Sequence, residues 1–243
     1  MSYILIVGAK SDIAKEIAIE YAKQGYHLYL AARNCDQLAT FASDIKIRTE
    51  QTVKVVELDI LNTESHHQFY ENLEHKPVGV VVAVGYLGDQ QLAQSAFKEA
   101  KHIMNTNYCG VVSLLNIIAN DFEQKQSGFI IGISSVAGDR GRQSNYLYGS
   151  AKAGLTAYLS GLRNRLHQSK VQVLTVKPGF VATRMTAGMD LPKKLTASAT
   201  MVATDIYRAQ QKGKNVIYTK SIWRYIMLII KWIPEWLFKK MNI

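Results

Sequence analysis

At 243 residues, with 48% hydrophobic and 20% charged side chains, the chain is long enough for one full core and too apolar to stay disordered. Two cysteines, Cys35 and Cys109, exclude a disulfide scaffold and carry no metal-site spacing, so a reducing compartment, a cytoplasmic location and no metal are expected. The formal net charge is +10, and from Lys193 onward ten Lys/Arg stand against two acidic residues, Asp205 and Glu235; no nucleic-acid partner is expected, because no recognised binding module accompanies this basic excess.

Tyr3–Val7 is an unbroken apolar run of strand length, as in a parallel strand covered on both faces. The chain opens directly on it, so no leader is expected. Gly8-Ala9-Lys10-Ser11-Asp12-Ile13-Ala14 follows, then a helical pattern through Ile17, Ala18 and Tyr21. A strand, a glycine turn and a helix form the setting in which backbone amides and a helix dipole hold a diphosphate. Asp12 would be repulsive there unless its carboxylate turns away and caps the helix amides. A second run, His27–Ala32, ends at Arg33. In such a fold a cation at that place suits a ribose 2′-phosphate, which favours NADP(H) over NAD(H); Lys10 is expected nearby. A solvated charge at a strand end is the other reading of Arg33.

Residues 53–58 form a third predicted strand, followed by Asp59. His66-His67 reads as a polar, surface helix start. Residues 78–84 form a fourth strand that runs through Ala83 into Gly85. A long helix is predicted over about residues 93–119, containing Asn107-Tyr108-Cys109-Gly110, with Cys109 as a small buried residue. Residues 128–135 form a buried strand ending in two serines, and residues 146–167 a helix. Residues 171–176 form another strand, leading into Lys177-Pro178-Gly179-Phe180-Val181-Ala182-Thr183. Residues 184–199, with Met185, Met189, Leu191 and Leu195, are expected to cover an apolar or large substrate.

Tyr148 and Lys152 lie four residues apart and so share a helix face. An ammonium beside a phenol lowers its pKa toward the range useful for proton transfer. Ser135 could hold a carbonyl oxygen while Tyr148 protonates it, which is the acid half of a ketone reduction. The spacing alone also fits a surface pair on an ordinary amphipathic helix.

Taken together, the Gly8 turn, Asp59, Asn107-x-x-Gly110, Ser135, Tyr148-x-x-x-Lys152 and the Pro178-Gly179 turn resemble the short-chain dehydrogenase/reductase family over roughly residues 3–185. The resemblance implies a single Rossmann-type doubly wound α/β domain over residues 1–220, with a parallel sheet of about seven strands and helices on both faces. It implies NAD(P)-dependent oxidation or reduction with Ser135, Tyr148, Lys152 and Asn107 as the catalytic set. Cofactor contacts are implied for Gly8, Lys10, Ser11, Asp12, Ile13, Arg33, Asp59, Ala83, Gly85, Tyr148, Lys152, Pro178, Gly179, Val181 and Thr183. It also implies a homodimer or homotetramer. The chain departs from the family pattern at Asp12 and Ala14, which replace glycines, and at Ala83, which replaces an asparagine. A catalytically idle nucleotide-binding or scaffold protein is the alternative reading.

Residues 221–243 contain all three tryptophans, a proline break at Pro234 and interspersed Lys/Arg. The longest apolar run, residues 225–230, is far short of the roughly 20 residues a spanning helix needs. The pattern describes two short helices lying in a membrane interface, with cations toward anionic headgroups. Oligomer contacts or a substrate lid would use the same apolar surface. With the Ser-Asp-Ile turn, this tail resembles a bacterial branch containing reductases of decaprenylphosphoryl-2-keto-pentose, which implies a lipid-linked carbonyl substrate.

Overall fold

A computed structural model describes residues 2–241. Seven strands form one parallel sheet: β1 (Tyr3–Val7), β2 (His27–Ala32), β3 (Val53–Glu57), β4 (Gly79–Val82), β5 (Phe129–Ile133), β6 (Gln172–Pro178) and β7 (Val216–Thr219), in the order β3-β2-β1-β4-β5-β6-β7. The strands are apolar and rich in β-branched residues because both faces are covered. Alternation along β1 divides the core. Ile4 and Ile6 face a layer that includes Ile17 and Tyr21 of α1 (Asp12–Lys23) and Val202 and Ile206 of α8 (Ala199–Gln211). Tyr3, Leu5 and Val7 face Leu114 and Leu115 of α6 (Gly110–Lys125) and Leu155 and Leu159 of α7 (Tyr146–Leu166). α2 (Ala39–Thr49) packs beside β3, and α3 (His66–Glu71) packs on α6. The strand order reverses between β1 and β4, and a crevice opens beyond the carboxyl ends of the strands at that switch point.

The predicted 93–119 helix is interrupted. It divides into α4 (Gln90–Ser95), α5 (Phe97–Met104) and a π-helical turn, Asn105–Cys109, before α6. The π turn rotates Cys109 outward, so it is exposed rather than buried. Cys35 lies in a short 3₁₀ turn, Cys35–Leu38. His66 is also not the surface residue expected. It is fully buried, with Nδ1 3.0 Å from Ser113 Oγ and Nε2 3.3 Å from the Asp59 carbonyl, and burial pushes its pKa down. It ties the turn after β3 to α6.

The tail forms α9 (Ile222–Trp232) and α10 (Glu235–Phe238), broken at Pro234. Trp223 and Met227 of α9 are buried with Val136, so one face of this helix packs on the α/β body. The contact is close: a side-chain carbon on Gly179 would lie 2.0 Å from the Trp223 indole.

Candidate active site

A cavity of about 380 Å³ occupies the crevice. Three strand ends and the start of α7 supply its floor. β5 runs into Ser134 and Ser135, whose hydroxyls part. Ser134 Oγ donates to the Lys152 carbonyl at 2.9 Å and pins α7 to the sheet. Ser135 instead lines the cavity, and its Oγ accepts the Ala137 backbone N–H at 3.1 Å, which leaves its own hydrogen free to donate. One helical turn brings Tyr148 and Lys152 to the same cavity.

The Lys152 ammonium is buried and donates to the carbonyls of Val84 (3.2 Å) and Ile133 (3.1 Å), the ends of two strands. Burial lowers its pKa from 10.5 to about 8. It stands over the face of the Tyr148 ring, 5.7 Å from the centroid. The expected lowering of the phenol pKa is outweighed: burial raises Tyr148 to about 12, and only the Ser135 hydroxyl pulls in the other direction. The phenol therefore holds its proton at neutral pH.

Asn107 is fully buried inside the π turn. Its Nδ2 donates to the carbonyls of Tyr86 (2.7 Å) and Ile103 (2.8 Å), and its Oδ1 accepts the Tyr86 N–H at 3.1 Å. A side-chain carbon on Gly85 would lie 3.8 Å from Asn107 Oδ1 and 3.9 Å from Lys152 Nζ, so Gly85 keeps open the space between them. Gly110 has a packing reason. A side chain there would drive into the Ile60 carbonyl, 2.1 Å away.

The sequence matches the short chain dehydrogenase family over residues 2–194. The chain belongs to the short-chain dehydrogenase/reductase family. An uncharacterised oxidoreductase of Mycobacterium tuberculosis is 37% identical over 241 residues, covering 98% of this chain and 96% of that one. The fold is similar to that of a short-chain dehydrogenase from Sphingobium yanoikuyae solved in complex with NADPH (TM-score 0.83, 20% identity, 97% of each chain). It is also similar to that of a bulky-bulky ketone specific alcohol dehydrogenase from Comamonas testosteroni (TM-score 0.80, 19% identity, 97% and 96% of the two chains).

In this short-chain dehydrogenase/reductase, the residues around the first turn fit a dinucleotide. Gly8 has φ +79°, and a side chain on it would meet the Ala83 carbonyl at 2.9 Å, so the turn lies hard against the end of β4. Ser11 is the N-cap of α1, accepting from the Ala14 N–H at 3.2 Å, and also donates to the Ala83 carbonyl at 3.4 Å. Asp12 does not cap, contrary to expectation. Its carboxylate accepts the Arg184 backbone N–H (2.7 Å) and Nε (2.9 Å), while the same guanidinium reaches the Lys10 carbonyl. The cation offsets the acidic replacement in the turn.

Ser11, Asp12, Ile13, Ala83 and Gly85 line the cavity from one side, and Pro178, Gly179, Val181 and Thr183 from the other. Arg33, Lys10 and Asp59 form a separate group beside β2 and β3. Lys10 Nζ donates to the Arg33 carbonyl at 3.2 Å, and Arg33 Nε is 4.0 Å from Asp59 Oδ1. Glu57 was not singled out in the sequence, yet it accepts the N–H groups of Asn34 and Cys35, each at 2.9 Å, and fixes the turn after Arg33. In the covering segment, Met185 and Met189 line the cavity, whereas Leu195 turns toward Trp223, whose Nε1 donates to its carbonyl at 3.0 Å.

Proposed function

We propose that this oxidoreductase interconverts a ketone and a secondary alcohol, with NADP(H) preferred to NAD(H). The observation that carries the reading is the meeting of the Ser135 and Tyr148 hydroxyls above the buried Lys152 ammonium in one cavity. A bound nicotinamide cofactor supplies the hydride in reduction and accepts it in oxidation. Ser135 donates a hydrogen bond to the substrate oxygen. Tyr148, neutral at pH 7, gives its proton to the alkoxide as it forms and takes one back in the reverse direction. Lys152 helps hold the ribose and supplies the positive charge that stabilises the transient phenolate, and Asn107 supports the proton relay.

The preference for NADP(H) rests on Arg33 and Lys10 at the end of β2. The Arg33–Asp59 pair is long and its side chains are 57% and 41% exposed, so the guanidinium remains open to a 2′-phosphate. The Sphingobium neighbour was solved with NADPH, which accords with this. Titrating NADPH and NADH separately by energy transfer from tryptophan tests the choice, and the Tyr148→Phe variant tests the chemistry. We expect tighter NADPH, and a Tyr148→Phe enzyme that binds it normally but turns over about 10³-fold more slowly. Wild-type turnover by that variant would overturn the mechanism. Binding of neither nucleotide would favour an idle scaffold.

Leu87, Phe180, Met185 and Met189 give the cavity an apolar wall suited to a large or lipid-linked substrate, such as a lipid-linked keto sugar. The outer face of the tail supports delivery from a bilayer. Tyr225, Leu228, Ile229, Trp232 and Trp236 are exposed, and so are the cations Arg224, Lys231, Lys239 and Lys240. The tail's one acid, Glu235, is paired with Arg140 at 2.9 Å. Among the described residues no helix is long and apolar enough to cross a membrane, so the tail would lie on an anionic surface. Flotation with phosphatidylglycerol vesicles should carry the protein upward. A Trp232→Glu/Trp236→Glu variant should stay behind; equal flotation of both proteins would remove this part of the reading.

A further inference from the structure

The loop between β5 and α7 carries two arginines, Arg140 and Arg142, with opposite fates. Arg140 is spent on the tail. Its guanidinium donates to the carbonyls of Ile230 and Ile233 and to Glu235, and lies 3.6 Å from the centre of the Phe238 ring. Arg163 and Arg184, two further arginines beside the sheet, are likewise engaged, by Val173, Thr175 and Asn215 and by Asp12 and Lys10.

Arg142 lines the cavity with Ser135 and Tyr148, and it is not satisfied. Its Nε is sealed from solvent without a hydrogen-bond partner, and among the described residues its NH2 donates to the Met227 sulfur alone, at 3.3 Å, a weak acceptor. Among the described residues no carboxylate lies within ion-pair distance of it. The acid whose field it feels, Asp139, already accepts from Lys177 (2.5 Å) and Tyr218 (2.7 Å). Burial accordingly pushes the guanidinium pKa down. Nearby on the same cavity wall, Asn145 buries its Oδ1 with no partner. A buried charged donor left without an acceptor is costly, and so is a buried amide oxygen without a donor. Two such groups on the wall of a cavity shared with two reactive hydroxyls mark a place where a ligand group completes the bonding.

We propose that Arg142 and Asn145 form an oxyanion subsite, so that the substrate carries a carboxylate or phosphate ester near its carbonyl. This rests on the reading of the cavity as the substrate site. The guanidinium fork suits either oxyanion, and Asn145 Oδ1 suits a hydroxyl beside it. The phosphate of the cofactor would lie elsewhere, at Arg33 and Lys10, so the two anion sites are separate.

The test is calorimetry on the NADP⁺-saturated enzyme, where a ketone binds without turning over. Two matched pairs are compared: 4-oxopentanoate with 4-oxopentanamide, and dihydroxyacetone phosphate with dihydroxyacetone. Wild-type enzyme should prefer one anion or both over the neutral partner, and whichever pair shows the larger preference assigns carboxylate or phosphate. Arg142→Met should cut that preference by about 10- to 100-fold, with Arg142→Lys retaining part of it. If the Met variant fails to fold, Arg142→Gln gives the same ratio. Anions that bind no better than neutral partners, anions that do not bind at all, or a preference that survives Arg142→Met would each overturn the proposal. Turnover is read separately with NADPH. An intact anion preference without turnover would sink hydride transfer and leave the subsite standing. If NADP⁺ itself fails to bind, the same titration without nucleotide still reads the subsite.

Discussion

The two ends of the crevice each hold a charge, and they treat it differently. At the rim, Asp12 is met by an opposite full charge, Arg184, from a segment 172 residues away. On the floor, Lys152 is met by the carbonyl dipoles of Val84 and Ile133 and by the face of the Tyr148 ring, with no carboxylate paired to it among the described residues. A rim charge paired in partial solvent is replaceable and modest in energy. A floor charge without a counter-ion carries a desolvation cost, and this appears as its lowered pKa. The rim pair repairs a local misfit, whereas the floor charge is kept in an uncomfortable place where it acts on Tyr148.

The sharpest way to break this contrast is Lys152→Met. Turnover should fall by about 10³-fold, since the transient phenolate loses the ammonium that stands over its ring. Stability should respond in the opposite sense. Below about pH 8 the ammonium is present in both folded and unfolded chains, and the burial penalty is full. Between about 8 and 10.5 the unfolded chain holds a proton that the folded chain has lost, so stability rises with pH. The complete rise is about 3 kcal/mol, and the Met variant should lack it. Urea unfolding of both proteins at several pH values reads the difference; parallel curves would mean that Lys152 is not strained.

A smaller effect is expected at the rim. Arg184→Ala should weaken NADPH binding by about 3- to 10-fold, because the Asp12 carboxylate would then face the diphosphate alone. Asp12→Asn in that background should restore affinity. Additive effects of the two changes would show that the pair does not act as a unit. The loss in Arg184→Ala should also shrink as salt is added.

Much of the scaffold was legible because burial on both faces demands unbroken apolar runs. Tyr3–Val7 and His27–Ala32 emerged with the predicted bounds, helical spacing set Tyr148 and Lys152 on one face, and the apolar run before Ser135 set that hydroxyl at a strand end. Features set by distant partners were not legible. The fate of Asp12 depends on Arg184, and the burial of His66 on Ser113. Cys109 looked like a core residue on a regular helix, and the π turn around Asn107 moved it to the surface. The order of the Tyr148 and Lys152 pKa values was also hidden, since desolvation depends on the depth of the cavity rather than on spacing.

The packing of Trp223 against Gly179 has a spectroscopic consequence. The three indoles of this chain occupy a single stretch of tail but see different surroundings. Trp223 is 4% exposed against the Pro178-Gly179 turn, while Trp232 and Trp236 are 80% and 64% exposed. Emission from the first is placed to report on the crevice, and emission from the other two on whatever the tail touches. One intrinsic signal, separated by wavelength and quencher access, can therefore follow nucleotide arrival and surface attachment in the same cuvette, with no label added.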